Sequence, residues 1–421
     1  MKFRSSRKFA QTMDDNDPLR EQRVRFHIPP GATRRESIYL CGHSLGLQPR
    51  LARDRVNAEL DYWQELGVKG HFEAPTPWKY YHESVRDSMA RIVGALPSEV
   101  VIMNSLTVNL HLMMVSFYRP EAGRSKILIE AQAFPSDRYA MASQIDFHGF
   151  DPDKDLLEVQ AKSGKSGVST QAVLDALEEQ GDQIALLLLG GVNYLSGQYL
   201  DIRAITRLAH QKGCVVGIDL AHAAGNLVLH LHEWDVDFAV WCTYKYLNAG
   251  PGNLGGCFVH QRHARAPLPR FAGWWGHEPE SRFKMPAEFH PTPGADGWQL
   301  SNPPILPLAA MRASLDIFDD VGMDALRTKS KVMTAYLEYL MAQLKSPRIR
   351  QLTPVDPAQR GCQLSFEITG ADRSLYTYLL SQDVIGDWRE PNVIRLAPVP
   401  LYNRFLDVFE AVETLKKGLK S

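Results

Sequence analysis

The sequence predicts an α/β protein: a large domain whose mostly parallel sheet is covered by helices, followed by a smaller α+β C-terminal domain. Three observations lead there. Short apolar runs of strand length alternate with stretches of helical period through the middle of the chain, the pattern of strand–helix–strand units. Those runs are continuously apolar, as strands buried on both faces are. And two of them, Val215-Val216-Gly217-Ile218 and Phe238-Ala239-Val240-Trp241, end in groups that a hydrophobic core would not choose: Asp219 and then His222 after the first, Tyr244 and Lys245 after the second. Open parallel sheets collect their ligand groups at strand C-termini, so these two ends mark the expected site.

The 421 residues exceed the size at which one core stops growing. The expected division is an N-terminal arm and loop over 1–50, a large domain over 51–305, a connecting helix over 306–345 and a small α+β domain over 346–421. With 44% hydrophobic and 23% charged residues and a net charge of −1, the composition gives no reason to expect nucleic acid or a membrane surface as partner, and a small-molecule site is the default. The five cysteines, Cys41, Cys214, Cys242, Cys257 and Cys362, are scattered without a C-x-x-C spacing and read as reduced core thiols. The longest clean apolar run, 184–189, is far short of the ~20 residues that span a bilayer, and the basic N-terminus turns acidic at Asp14 with no apolar stretch between. A cytoplasmic protein is expected.

Taken in order, the first 50 residues close on GHSLGLQPR, where Ser44 is a turn residue or a ligand contact. Helical period runs over 49–65, and KGHFEAPTPW reads as a loop holding His71. A strand at 100–103 feeds a helix whose apolar positions are Leu106, Leu110, Met113, Met114 and Phe117, with Asn104 or Ser105 as N-cap. The unpaired first N–H groups of that helix, at Leu106 and Thr107, suit a phosphate, although a capped helix without ligand fits the residues as well. After a strand at 127–129, Phe134 stands just before Pro135, placed either to stack on a flat cofactor or as an exposed loop aromatic. A Lys/Ser/Gly-rich connection over 162–169 precedes a helix near 171–180 and a strand at 184–189. Asp201 then caps a helix with Ile202, Ile205 and Leu208 on one face, Gly213 ends it, and the strand at 214–218 follows.

His230 and His232 alternate in LVLHLHE as neighbours on one strand face would, but a metal needs three or four convergent ligands, so no metal site is expected. The segment from Arg270 to Pro304, dense in Gly, Pro and aromatics and holding Trp274 and Asn302, is long enough to be functional or an oligomer contact. One long helix is expected over 306–344. Beyond it come a strand at 362–368, a helix at 372–381, and VIGDWRE and VIRLAPVPLYN. There Arg395 interrupts an apolar strand, which calls for an anion to match its planar fork, or else for an edge strand.

Asp219 and Lys245 together suit pyridoxal 5'-phosphate. The pyridine nitrogen of that cofactor needs an anion to stay protonated, and its aldehyde needs a lysine amine with which to condense. Taken singly, Asp219 as a helix cap and Lys245 as a snorkelling strand-end residue serve as well.

The wider pattern goes further. D-L-A-H-A-A-G, T-Y-K-Y-L-N-A-G-P-G, G-H-S-L-G-L-Q-P, F-P-S-D, SNPPILPLAAMRASLDIF and VIRLAPVPLYN run from Gly42 to Asn403 and resemble kynureninase, a family of pyridoxal-phosphate enzymes of the aminotransferase-like fold type I. The resemblance implies hydrolytic Cβ–Cγ cleavage of L-kynurenine or 3-hydroxy-L-kynurenine to L-alanine and anthranilate or 3-hydroxyanthranilate, in tryptophan degradation and NAD synthesis. It implies Lys245, Asp219 and Tyr244 as catalytic residues. Around the cofactor it implies Leu106 and Thr107 at the phosphate, Phe134 on the ring, and Pro135, Ser136, Asp137 and His222 nearby. Trp274 and Asn302 would reach the site from the neighbouring subunit of a homodimer. For the substrate it implies Ser44, His71, Asn302 and Arg395, the last at the α-carboxylate, with His71 and Asn302 accompanying a preference for the 3-hydroxy substrate. This chain departs at His43, where asparagine is usual, and over 192–197, which leaves open which side chain there meets the cofactor. Two alternatives remain: a cysteine-desulfurase-like lyase, which needs a nucleophilic cysteine on a mobile loop where Cys362 lies in strand-like GCQLSF, and a non-catalytic homologue, which would be expected to lack Lys245 or Arg395.

Overall fold

A computed structural model describes residues 2–161 and 167–420, so most of the connection expected over 162–169 lies outside the described residues. A seven-stranded sheet forms the centre. Across it the strands run Val100–Met103, Gly255–Val259, Phe238–Cys242, Val215–Asp219, Ile184–Gly190, Lys126–Glu130 and Leu156–Val159. The last five are mutually parallel, and Gly255–Val259 is antiparallel to both of its neighbours. Successive residues of the central strands serve opposite faces, as the pleat requires. Leu187, Leu189, Val216 and Ile218 join one apolar cluster, while Leu186, Leu188, Phe238 and Val240 join the other. This two-sided burial is why the strands read as unbroken apolar runs.

The local signals place the helices well. Asp201 accepts from the Ala204 N–H at 3.0 Å to start helix Ile202–Gln211, and Gly213, at φ 76°, turns the chain into the next strand. The second, smaller sheet is antiparallel and runs Asp387–Arg389, Val393–Leu396, Leu364–Ile368, Ile349–Gln351. Near it, Ile38–Tyr39 pairs in parallel with Val384–Ile385, and Ala10, Met13, Ile38 and Leu40 share an apolar cluster with Leu364, Phe366 and Val408. No helix among the described residues is long and apolar enough to cross a membrane.

Four local expectations change. The single helix expected over 306–344 is two, Ile305–Val321 and Met323–Gln343, divided at Gly322, whose φ of 75° ends the first. The loop holding His71 contains a one-turn helix, Gly70–Glu73. LVLHLHE forms no strand: His230 is half exposed, while the His232 imidazole bonds to the buried Glu99 carboxylate at 2.9 Å and stacks on His260. And the strand carrying Arg395 is interior, flanked on both sides, which removes the edge-strand explanation for a charge there.

Candidate active site

The parallel strands Lys126–Glu130, Ile184–Gly190 and Val215–Asp219 lie side by side, and each presents its last residue to one cavity. Asp219 is buried, and its Oδ1 accepts from the Ala221 N–H at 2.6 Å, which fixes the carboxylate at the strand end. Its ladder partner is Gly190. The space a side chain would fill at 190 is taken by Glu130, whose Oε1 lies 2.7 Å from where a Cβ would stand. A third carboxylate, Asp137, comes from the first turn of helix Pro135–Phe147 and hydrogen-bonds Asp219.

Three buried carboxylates in one place resist ionisation. Burial pushes Glu130 up to about 7, against hydrogen bonds from Asn193 and the Gly190 N–H. Burial, and then the charge of Asp219, hold Asp137 well above the usual carboxylate range. Burial also raises Asp219, opposed by the bond to Asp137, the Ala221 N–H and the charge of Lys245. Of the pair, Asp137 is held the higher, by burial and by the charge of Asp219.

Lys245 follows strand Phe238–Cys242, with its Nζ 6.0 Å from the ring centres of both Phe134 and Tyr244. The Tyr244 phenol is raised by burial and bonded to Cys242. His222 is buried, and burial followed by the nearby Lys245 charge keeps its imidazole neutral. At the other end of the cavity two helices begin. Helix Leu106–Phe117 starts after Asn104, at φ 47°, and helix Pro135–Phe147 starts after Phe134; neither N-cap side chain satisfies a first-turn N–H. Thr107 Oγ1 and Ser136 Oγ meet at 3.0 Å between them. Two helix N-termini and two hydroxyls form a place for a phosphate dianion. Asp137 Oδ1 and His222 Nδ1 are buried here without a partner among the described residues, and an amine, an aromatic face and an acid pair complete the set. These residues fit pyridoxal phosphate.

Of the residues singled out in the sequence, Leu106, Thr107, Phe134, Ser136, Asp137, Asp219, His222, Tyr244 and Lys245 line this cavity, and Pro135 opens the adjoining helix. Arg395 finds its anion within the chain. Its Nε and Nη2 meet Asp387 at 2.9 and 2.8 Å, and its Nη1 donates to the Tyr194 carbonyl at 2.6 Å. The segment 192–197 contributes Val192 and Tyr194 to the cavity, with the Tyr194 ring edge-on to Phe134 at 5.2 Å. Besides Pro135 and Arg395, four of these residues do not line it. Ser44 is an exposed turn residue, and Asn302 is exposed. His71 packs edge-on to Trp78 at 5.5 Å. Trp274 is 40% exposed, with its Nε1 bonded to the Arg282 carbonyl.

Glu130 went unnoticed in the sequence, and His43 was noted only as a departure, with no role assigned. His43 is buried 6.4 Å from the His222 ring with neither nitrogen partnered, and its one signal was the departure from asparagine. Glu130 had a plainer signal: ILIE is an apolar run closed by a carboxylate, as VVGID is.

The family described as "Kynureninase C-terminal domain" matches residues 326–415. Over nearly its whole length the chain is similar to proteins named Kynureninase: 55% identical to that of Koribacter versatilis over 99% of both chains, and 54% identical to that of Myxococcus xanthus over 98% of this chain and 97% of the relative. Among solved structures it is similar in fold to the cysteine desulfurase CsdA of Escherichia coli, with TM-score 0.77 and 17% identity over 95% of this chain and 98% of that one. It is likewise similar to a C-DES mutant with glycine linked to its PLP cofactor, with TM-score 0.75 and 18% identity over 90% and 96%.

Proposed function

The chain belongs to the kynureninase family and is a pyridoxal-phosphate-dependent hydrolase of carbon–carbon bonds, and we propose that it cleaves 3-hydroxy-L-kynurenine in preference to L-kynurenine. The products are then 3-hydroxyanthranilate and L-alanine. The observation that carries the reading is the convergence of Asp219, Lys245 and Phe134 on one cavity closed by two helix N-termini.

Bound pyridoxal phosphate supplies an electron sink for negative charge developing on the substrate. The chain's residues divide the rest of the work. The first-turn N–H groups at Leu106 and Thr107, with the Ser136 hydroxyl, hold the phosphate, and Phe134 covers the ring. Asp219 keeps the ring nitrogen protonated by placing a buried anion beside it. The Lys245 amine takes the proton from the substrate Cα, and Tyr244 relays protons next to it. Arg395 retains N–H groups on Nη1 and Nη2 beyond its bonds to Asp387 and Tyr194, and these take the substrate carboxylate. Trp274 and Asn302, outside the cavity of one chain, serve the site of a partner subunit in a homodimer. Exposed Phe271, Phe283 and Met285 around Trp274 support such a contact. The enzyme works in the cytoplasm, in tryptophan degradation and NAD synthesis.

The fold neighbours favour one rival, a cysteine desulfurase, and the thiols oppose it. Burial raises all five, and Cys362, bonded to Tyr246, is pushed up to about 12, the reverse of what a sulfur nucleophile needs. The test is an absorbance scan of the purified, cofactor-loaded protein. Adding 3-hydroxykynurenine should shift the cofactor band and yield 3-hydroxyanthranilate. An unchanged spectrum with either kynurenine, together with alanine formed from cysteine, would transfer the assignment to the rival.

A further inference from the structure

We infer that Glu130 is a positioning residue for the cofactor: lodged over Gly190 beside Asp219, it gives up a proton to solvent as the pyridinium ring docks and thereby adds a second buried negative charge to the ring's counter-ion. The inference rests on the assignment of this cavity to pyridoxal phosphate.

Glu130 ends the strand two places from that of Asp219, and the strand between them ends in Gly190, the ladder partner of Asp219. The Glu130 carboxylate occupies the room that glycine leaves, where any side chain would collide with it. It is 5% exposed and faces the same cavity as Asp137 and Asp219. Its hydrogen-bond donors are the Gly190 N–H and the Asn193 side chain. The titratable groups around the cluster are Asp219 from the neighbouring strand, Asp137 from helix Pro135–Phe147, and Lys245, whose charge is felt by both aspartates. Among the described residues one ammonium, that of Lys245, faces the three carboxylates, so without a further cation the cluster favours retaining protons. Its burial-raised pKa near 7 makes Glu130 the member poised to change charge at neutral pH.

A pyridinium beside Asp219 stabilises ionised Glu130, so the Glu130 pKa falls when the site fills. Binding then releases a proton in the window between the filled-site pKa and about 7, and affinity rises with pH across that window and levels above it. The protonation of the cofactor phosphate also affects binding, in the wild type and the Glu130 variant alike.

The experiment is a titration of the apo-protein with pyridoxal phosphate from pH 5.5 to 8, followed by cofactor absorbance, for the wild type and Glu130→Gln, with thermal melting of both apo-proteins as the check on folding. The ratio of the variant's Kd to that of the wild type should be near one at the acid end and rise to about tenfold at pH 8, one pKa unit of coupling. A purely structural Glu130 would give a ratio that does not move with pH, and that result would overturn the inference. Glu130→Asp, which keeps the charge, should keep the rise, and Glu130→Asn should lose it; this shorter pair carries the same test if Glu130→Gln does not fold. A wild type that takes up no pyridoxal phosphate at any pH would overturn the cofactor assignment itself, and this inference with it.

Discussion

Asp219 and Arg395 are both charges at the ends or in the middle of buried strands, yet loss of each should register in a different measurement. Asp219→Asn preserves shape and the bond from Ala221 but removes the anion that keeps the ring nitrogen protonated. Cofactor should still bind through the phosphate and Lys245 while kcat falls by ~10²-fold or more, the scale on which a single electrostatic contact to developing charge is felt; undiminished turnover would refute the role. Arg395→Ala should act on the substrate instead. A lost charge-assisted pair is worth about 1.5–3 kcal/mol, so KM should rise ~10-fold or more with the cofactor absorbance unchanged. Asp387 is not stranded by the change, because Arg389 also approaches it at 3.0 Å. If cofactor retention falls, Arg395 is structural. The sequence made both charges conspicuous because each breaks an apolar run. It hid Asp387, which gives Arg395 its anion, because an acidic residue in the mixed stretch VIGDWRE breaks no pattern.

At the scale of elements, the sheet holds two glycine–aromatic pairs that fix its register. Gly217 lies opposite Phe238, and Gly256 opposite Trp241. In each case the aromatic ring folds over the glycine, where a Cβ would meet Phe238 Cζ at 2.2 Å or Trp241 Cε2 at 2.1 Å. Trp241 is fully buried and has nowhere to retreat. Gly256→Ala should therefore lower stability by about 1–3 kcal/mol, read as a drop in Tm, from overpacking alone; an unchanged Tm would show that the ring can move. These pairs were not read from the sequence, because a glycine in a strand names no partner until the register is known. The strands themselves were legible, since burial on both faces writes a continuous apolar run. Helix division was not: Gly322 sits inside a long stretch of helical period, and period alone does not report a left-handed residue that breaks it. LVLHLHE failed for a related reason. Alternation over six residues suits a strand, but His232 is committed to the Glu99 carboxylate, which the sequence places far away.

For the whole molecule, the cofactor half of the site was legible in one chain and the substrate half was not, and the difference has a physical origin. Asp219, Lys245 and the helix starts at Leu106 and Pro135 sit on the rigid sheet that their own segments build. His71, Trp274 and Asn302 lie away from the cavity, so the roles proposed for Trp274 and Asn302 require a second subunit. On that proposal, substrate choice is a property of the assembly. A pocket that offers hydrogen-bonding groups to a ring hydroxyl leaves them unpaired when the hydroxyl is missing, and such a mismatch discriminates far better than a methylene's worth of apolar contact. With His71 and Asn302 as those groups, kcat/KM should be higher for 3-hydroxykynurenine than for kynurenine by about tenfold or more, since one unmade hydrogen bond to a buried group costs ~1–3 kcal/mol. The double variant His71→Trp/Asn302→Thr removes both groups and fills the space with apolar surface, so the ratio should fall towards one or invert, while the cofactor spectrum stays that of the wild type. His71 packs on Trp78, so each single variant must accompany the double to separate a change in that contact from a change in the pocket. Equal kcat/KM values for the two substrates in the wild type, or a ratio untouched by the double variant, would remove His71 and Asn302 from the aryl end and leave substrate choice to residues of the cavity wall such as Tyr194.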